Sequence, residues 1–155
     1  MDIVSKQKRS EMMSKIGAKN TKPELIVRQT LHSQGYRFRL HVTKLPGKPD
    51  ITLRKHNTVI FVHGCFWHGH NCPLFRLPKS RTEFWRSKIE ANQARDEKNI
   101  KLLRSKGWRV LIIWECALKG KDRLTREKFS ASLKSWFASD ADEAMITPAG
   151  IELSR

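Results

Sequence analysis

Between His63 and Cys72 the chain reads His-Gly-Cys-Phe-Trp-His-Gly-His-Asn-Cys, and the only other cysteine is Cys116. Two cysteines, three histidines and two adjacent aromatics in ten residues exceed what a hydrophobic core requires. Cys65, His70, Cys72 and Cys116 form a closed set of three sulfurs and one nitrogen, the donor set structural zinc prefers, and Cys-x4-His-x-Cys is an ordinary spacing for it. The alternative, three small buried cysteines beside an unrelated histidine, leaves that spacing unexplained. A Zn2+ here would pin the loop bearing His68 against whatever element ends at Cys116, a strong restriction on topology.

The remaining pattern supplies elements for that loop to join. Basic residues 1–20 carry Met12, Met13 and Ile16 on one face of a marginal helix, an arm that could order on binding. Thr21-Lys22-Pro23-Glu24 has the form of a capping box and opens a helix through Leu25, Ile26 and Leu31, with Gly35 as its end. Tyr36 to Val42 alternates apolar and polar residues as a half-exposed strand does. A breaker-rich loop, Leu45-Pro46-Gly47-Lys48-Pro49, leads to Asp50 and a short strand to Leu53, which forms a hairpin with the β-branched strand Thr58 to His63. Thr82 caps a long helix to about Lys106, closed by Gly107, and Trp108 to Trp114 is a buried strand. A last helix, about Asp122 to Phe137, turns Phe129, Leu133, Trp136 and Phe137 inward. The expected organisation is an arm over 1–20, one domain over 21–138, and a mildly acidic, loose tail over 139–155. The order of elements is mixed α/β, a central sheet flanked by helices, and 155 residues suffice for one full core.

Charge narrows the partner. Lys and Arg number 31 against 15 Asp and Glu, a net +16, which points to a polyanion. No apolar run approaches the roughly 20 residues of a spanning helix, and Met1-Asp2-Ile3-Val4-Ser5-Lys6 does not read as a signal peptide. A cytoplasmic protein with reduced thiols is expected.

Asp50 follows Pro49 at a strand start, about a dozen residues before the end of the next strand. Restriction-type nuclease folds place a metal-binding acid this way, although an Asp after a Pro-Gly turn is also a common turn residue. The acid and lysine that normally follow on the second strand are missing, since that strand ends Phe61-Val62-His63. Pro-Gly-Lys-Pro-Asp, Val-Ile-Phe-Val-His-Gly-Cys-Phe-Trp-His, Arg-Thr-Glu-Phe-Trp and Gly-Trp-Arg-Val-Leu-Ile-Ile-Trp-Glu-Cys-Ala-Leu together resemble the very short patch repair endonucleases over nearly the whole chain. Those enzymes nick DNA beside a thymine mispaired with guanine, the lesion left when 5-methylcytosine deaminates.

The resemblance implies a restriction-endonuclease-like sheet with a structural zinc site, and a role for each matching residue. Asp50 and the Val62 carbonyl would hold Mg2+, His68 would take the proton of the attacking water, and His63 would assist near that water or the leaving group. Glu24 matches a supporting acid, or serves only its capping box. The family's zinc ligands fall on Cys65, His70, Cys72 and Cys116, the set already reached by counting thiols; two neighbouring positions that are often histidine in the family are Gly69 and Asn71 here. Phe66, Trp67 and Trp85 match residues that wedge into the duplex, with Met13 approaching from the other groove; for Trp85 the alternative is core packing. Lys88 and Asn92 follow Trp85 on the same helical face and could read base edges or remain solvated. Lys119, with Arg76, Lys79 and Arg81, would meet phosphates. Trp108, Trp114 and Trp136 are assigned to the core, and His32, His41 and His56 to the surface.

The implied partners are duplex DNA with a T:G mismatch, mismatch-repair proteins and a cytosine-5 methyltransferase of the same bacterial cell, met near the nucleoid by a monomer. The rivals are a restriction-type enzyme on the same fold and a non-catalytic, zinc-stapled mismatch binder. A general RNA-binding protein would explain the charge but not Asp50 with its histidines.

Overall fold

The computed structural model describes residues 20–154, so nearly all of the basic arm, Met13 included, lies outside the described residues. The capping box is formed: the Thr21 hydroxyl accepts the Glu24 N–H at 3.4 Å and the Glu24 carboxylate accepts the Thr21 N–H at 3.2 Å. It opens α1 (Lys22–Ser33), which buries Ile26, Val27 and Leu31, and Gly35 at φ 84° turns the chain away. The strand expected over Tyr36 to Val42 is cut to β1 (Arg39–Leu40). His41 ends it by taking a left-handed φ of 48°, and its N–H turns to the Asp50 carbonyl at 3.0 Å.

The expected hairpin is present: β2 (Ile51–Leu53) runs antiparallel to β3 (Thr58–His63), with Ile51 opposite Ile60. β3 pairs in parallel with β4 (Arg109–Trp114), His63 opposite Trp114. Parallel neighbours need a long crossover, and α2 (Thr82–Ser105) supplies it. Thr82 is not the cap expected of it. Arg81 enters the helix with a left-handed φ of 55°, and the Thr82 hydroxyl turns back to donate to the Pro78 carbonyl at 2.8 Å. Gly107 closes the helix at φ 89°. A one-turn helix, α3 (Glu115–Leu118), follows β4 directly. α4 (Arg126–Ala138) begins at Thr125, whose hydroxyl accepts the Lys128 N–H, rather than near Asp122.

The tail expected to be loose contributes two strands. β5 (Glu143–Thr147) pairs in parallel with β4, and β6 (Gly150–Ser154) pairs antiparallel with β5. Alternation decides this: Ala144 and Ile146 are buried while Met145 faces out. The acidity is spent locally, as Arg104 meets Asp142 at 2.7 Å and Glu143 at 3.7 Å.

Among the described residues the sheet therefore has six strands in sequence order, β1 to β6. One face, with Ile60, Leu111, Ile113 and Ile146, packs under α1 and α4; the other, with Val59, Phe61, Val110 and Ile112, packs under α2. Burial on both faces explains the near-continuous apolar runs of β3 and β4. Trp114 and Trp136 are buried and Trp108 half-buried, as assigned. No helix among the described residues is long and apolar enough to cross a membrane.

Candidate active site and metal centre

Pro49 delivers Asp50 just ahead of β2, where the strand pairing sets its side chain beside the end of β3. The carboxylate accepts the Val62 N–H at 2.7 Å. Burial raises the Asp50 carboxyl to about 6; the Val62 N–H opposes the rise and the nearby Glu24 adds to it. Glu24, 2% exposed, reaches the same cleft from the first turn of α1. One of its oxygens takes the Thr21 N–H, while the other meets His41 Nε2 at 2.8 Å and Arg28 at 3.4 Å. Glu24 thus closes the capping box and lines the cleft at once.

His41 is not the surface residue expected of it, because the same left-handed turn that ends β1 folds its ring onto Glu24. His32 is exposed as expected, whereas His56 is half-buried and lies edge-on to Tyr36 and Phe137.

Across the cleft stands a pair of histidines. His63, the last residue of β3, stacks parallel to His68 with ring centroids 3.7 Å apart. Burial, and then the neighbouring His68, lowers His63 to about 3, so it is a neutral imidazole at ordinary pH. His68 Nδ1 lies 2.5 Å from Asp96 Oδ2. Asp96 was not anticipated. Its signal is the spacing with Asn92, four residues earlier on α2, which puts both on the helix face turned to the histidine loop. The cleft, about 300 Å³, is lined by Glu24, Lys48, Asp50, His63, His68 and Asp96 among others. A buried carboxylate facing an oriented imidazole is equipped to hold a hard cation and to move a proton.

The zinc-type set is assembled at the other side of the loop. His70 Nδ1 lies 3.7 Å from Cys65 Sγ and 3.4 Å from Cys116 Sγ, and with Cys72 the four donor atoms lie within 4.8 Å of one another. A tetrahedron with Zn–S of about 2.3 Å and Zn–N of about 2.05 Å has edges of about 3.5–3.8 Å, so the donors fit a zinc ion. Burial pushes the Cys116 thiol up to about 11 and Cys65 higher still, and a bound cation reverses that preference. The His70 ring lies flat on Trp114 at 4.1 Å, and the His70 backbone N–H donates to the Cys65 carbonyl at 2.9 Å. Gly69 sits at φ 63°, where a Cβ would come within 2.4 Å of Gln93 Nε2 and 2.7 Å of Ile89 Cγ2. Glycine therefore lets this loop lie directly against α2.

Phe66, Trp67 and Trp85 form one half-buried aromatic cluster, with centroids 5.2–5.9 Å apart. Trp85 faces the loop rather than the core, and Lys88 Nζ stands 5.7 Å from the Trp67 ring and 5.9 Å from the Trp85 ring. Asn92 donates its amide to the Trp67 carbonyl at 3.0 Å. Lys119 is exposed beyond α3, 3.7 Å from Glu115.

The family model described as DNA mismatch endonuclease Vsr matches residues 1–74. The chain is 43% identical to the DNA mismatch endonuclease Vsr of Escherichia coli (strain K12) over 98% of its length and 97% of that protein. It is 52% identical to the type II nicking enzyme V.XorIIP of Xanthomonas oryzae pv. oryzae, over 76% of this chain and 86% of that one. It is 48% identical to the type II nicking enzyme V.NmeAIP of Neisseria meningitidis serogroup A, over 81% and 95%.

Proposed function

Because this chain belongs to the family of Vsr DNA mismatch endonucleases, we propose that its cleft hydrolyses one phosphodiester bond of duplex DNA, 5′ of the thymine in a T:G mismatch, opening very short patch repair. The observation carrying this reading is the meeting, at the end of β3, of Asp50 held by the Val62 N–H with the His63–His68 stack braced by Asp96. We read the sheet as restriction-endonuclease-like, with a backbone carbonyl in place of the missing second acid.

The donors suit a hard cation. In an extended strand a residue's N–H and C=O face the same side, so the Val62 carbonyl faces Asp50, which has one oxygen on the Val62 N–H and the other to offer. Mg2+ held by these two groups, with substrate oxygens and waters completing its shell, would neutralise the phosphate and stabilise the leaving oxygen. His68, its Nδ1 engaged by Asp96, presents Nε2 as the base that takes the proton of the attacking water. His63, neutral, assists by hydrogen bonding rather than as a charged acid. Glu24, fixed by Thr21, Arg28 and His41, orients water in the cleft.

Zn2+ on Cys65, His70, Cys72 and Cys116 has a structural role and ties the histidine loop to the end of β4. Phe66, Trp67 and Trp85 wedge beside the mismatch, with Met13 from the arm, because a mispaired step costs least to unstack. Lys88 reads a base edge, Asn92 supports the wedge loop, and Lys119 meets a phosphate. The protein works as a cytoplasmic monomer alongside mismatch-repair proteins and a cytosine-5 methyltransferase.

The test labels each strand of a duplex separately, with one T:G pair in a CT(A/T)GG-like context, and supplies Mg2+ beside the matched T:A duplex. A nick confined to the T-bearing strand of the mismatched duplex is expected. Cutting of the matched duplex would make the protein a restriction-type enzyme, and tight binding without cutting a mismatch binder.

A further inference from the structure

Adjoining the cleft is a second depression of about 650 Å³, between the start of α1 and the loop from α3 to α4. Its charged lining is Lys22, Lys119, Lys121, Arg123 and Arg126, with no carboxylate among them. All five side chains are exposed. Arg123 donates to the Gly120 carbonyl at 2.9 Å and Arg126 reaches the Gln29 amide oxygen at 3.5 Å, neutral partners that leave their charge available, while Lys119 is ion-paired with Glu115 at 3.7 Å. The floor is apolar, made by Pro23, Ile26, Leu118 and Leu124.

The two depressions border one another. Pro23 lines both, and Glu115, which lines the cleft, is one helical turn from Lys119, which lines the groove. A phosphodiester strand whose scissile phosphate lies against Asp50 must leave the cleft past one of its walls, and the wall at the first turn of α1 opens onto concentrated positive charge. A polyanion with one charge every 3.4 Å of strand matches a row of exposed cations better than a single small anion does.

We propose that this cationic groove carries the phosphodiester backbone of the nicked strand as it leaves the cleft. The assignment rests on the DNA endonuclease reading. It gives Lys22, Lys121, Arg123 and Arg126 a shared role, in which they position the strand and contribute affinity but carry no sequence information.

The test compares wild-type protein, the triple variant Lys121→Gln/Arg123→Gln/Arg126→Gln, and a control of equal charge loss along α2 and at its C-terminal end, Lys98→Gln/Lys101→Gln/Lys106→Gln. Affinity for the mismatched duplex is measured against salt concentration without Mg2+. The groove variant should lower the slope of log K against log salt by about 2 to 3, at about 0.9 per lost phosphate contact, more than the control does, with the ratio of matched to mismatched binding unchanged. In a second measurement, phosphates flanking the nick site are replaced one at a time by uncharged methylphosphonates. Wild-type affinity should fall at a run of positions on one side only, and the groove variant should be indifferent to those positions. A slope matching the control, or a variant as sensitive to the methylphosphonates as wild type, overturns the groove assignment. Failure of wild type to nick the mismatched duplex overturns the functional reading instead, so the two failures are distinguishable.

Discussion

Burial holds the Asp50 carboxyl near 6 against an ordinary 3.8, so the metal-free folded chain binds this proton more tightly than the unfolded chain. The stability contributed is full below about pH 4 and is lost as pH rises through about 6, up to about 3 kcal/mol. Asp50→Asn should abolish nicking yet raise the melting temperature of the metal-free protein at pH 7.5, by roughly 4–10 °C, with the gain vanishing toward pH 4. Equal melting temperatures at pH 7.5 would show that burial does not strain this carboxylate. At His68 the matter is tautomeric: the Asp96 carboxylate requires a proton on Nδ1 and so leaves Nε2 free to accept one. Asp96→Asn can offer an N–H to Nδ1 instead, which puts the proton on Nε2. Single-turnover nicking should drop about 10²-fold, part of the 10²–10⁴ a positioned base supplies, with duplex affinity unchanged; an unaltered rate would remove Asp96 from the site.

At the scale of elements, the histidine loop is held from two sides. The zinc-type set fastens it to α3 at Cys116, and α2 holds its main chain through Asn92 on the Trp67 carbonyl and Gln93 on the His68 and Gly69 carbonyls. The protein as isolated should release one Zn2+ per chain to a colorimetric chelator after denaturation. Cys116→Ser should release much less and lose about 2–5 kcal/mol of stability; equal zinc release from the variant would exclude Cys116 from the centre. The clustering of Cys65, His70, Cys72 and Cys116 could be read in the sequence because thiols are few and their spacing is chemical. β2, β3 and β4 could be read because they are β-branched and bounded by turn residues. The contacts of Asp96 with His68 and of His41 with Glu24 could not, since each joins elements distant in sequence. The β5–β6 hairpin was hidden because the outward residue between buried Ala144 and Ile146 is Met145, itself apolar, so the short run shows no apolar–polar alternation. The end of β1 at Leu40 followed from one left-handed residue, His41, whose side chain gives no turn signal.

At the scale of the molecule, the six strands of the described residues lie side by side in chain order, and the last two close the sheet beyond β4. Arg109 fixes that closure: its guanidinium donates to the carbonyls of Ala141, Trp136 and Ser139 at 2.8–3.1 Å and lies 4.1 Å from the Trp136 ring centroid. Truncation after Ala138 would be harmless if the tail were loose. Here it strips β4 of one of its two parallel partners and removes the buried Ala144 and Ile146 from the core, so a loss on the order of 5 kcal/mol is expected, a large part of a typical domain's stability. Circular dichroism on the truncated chain would show unfolded or aggregated protein; a melting temperature within a few degrees of full length would refute the role of the hairpin. The pairing of Asp50 with the Val62 N–H has its own bearing on safety. Because strand side chains alternate, sliding β2 by one residue against β3 would swing Asp50 to the opposite face and break that bond. A misaligned or half-made chain is thus a disarmed one: the capacity to cut a chromosome arrives only with the correct register.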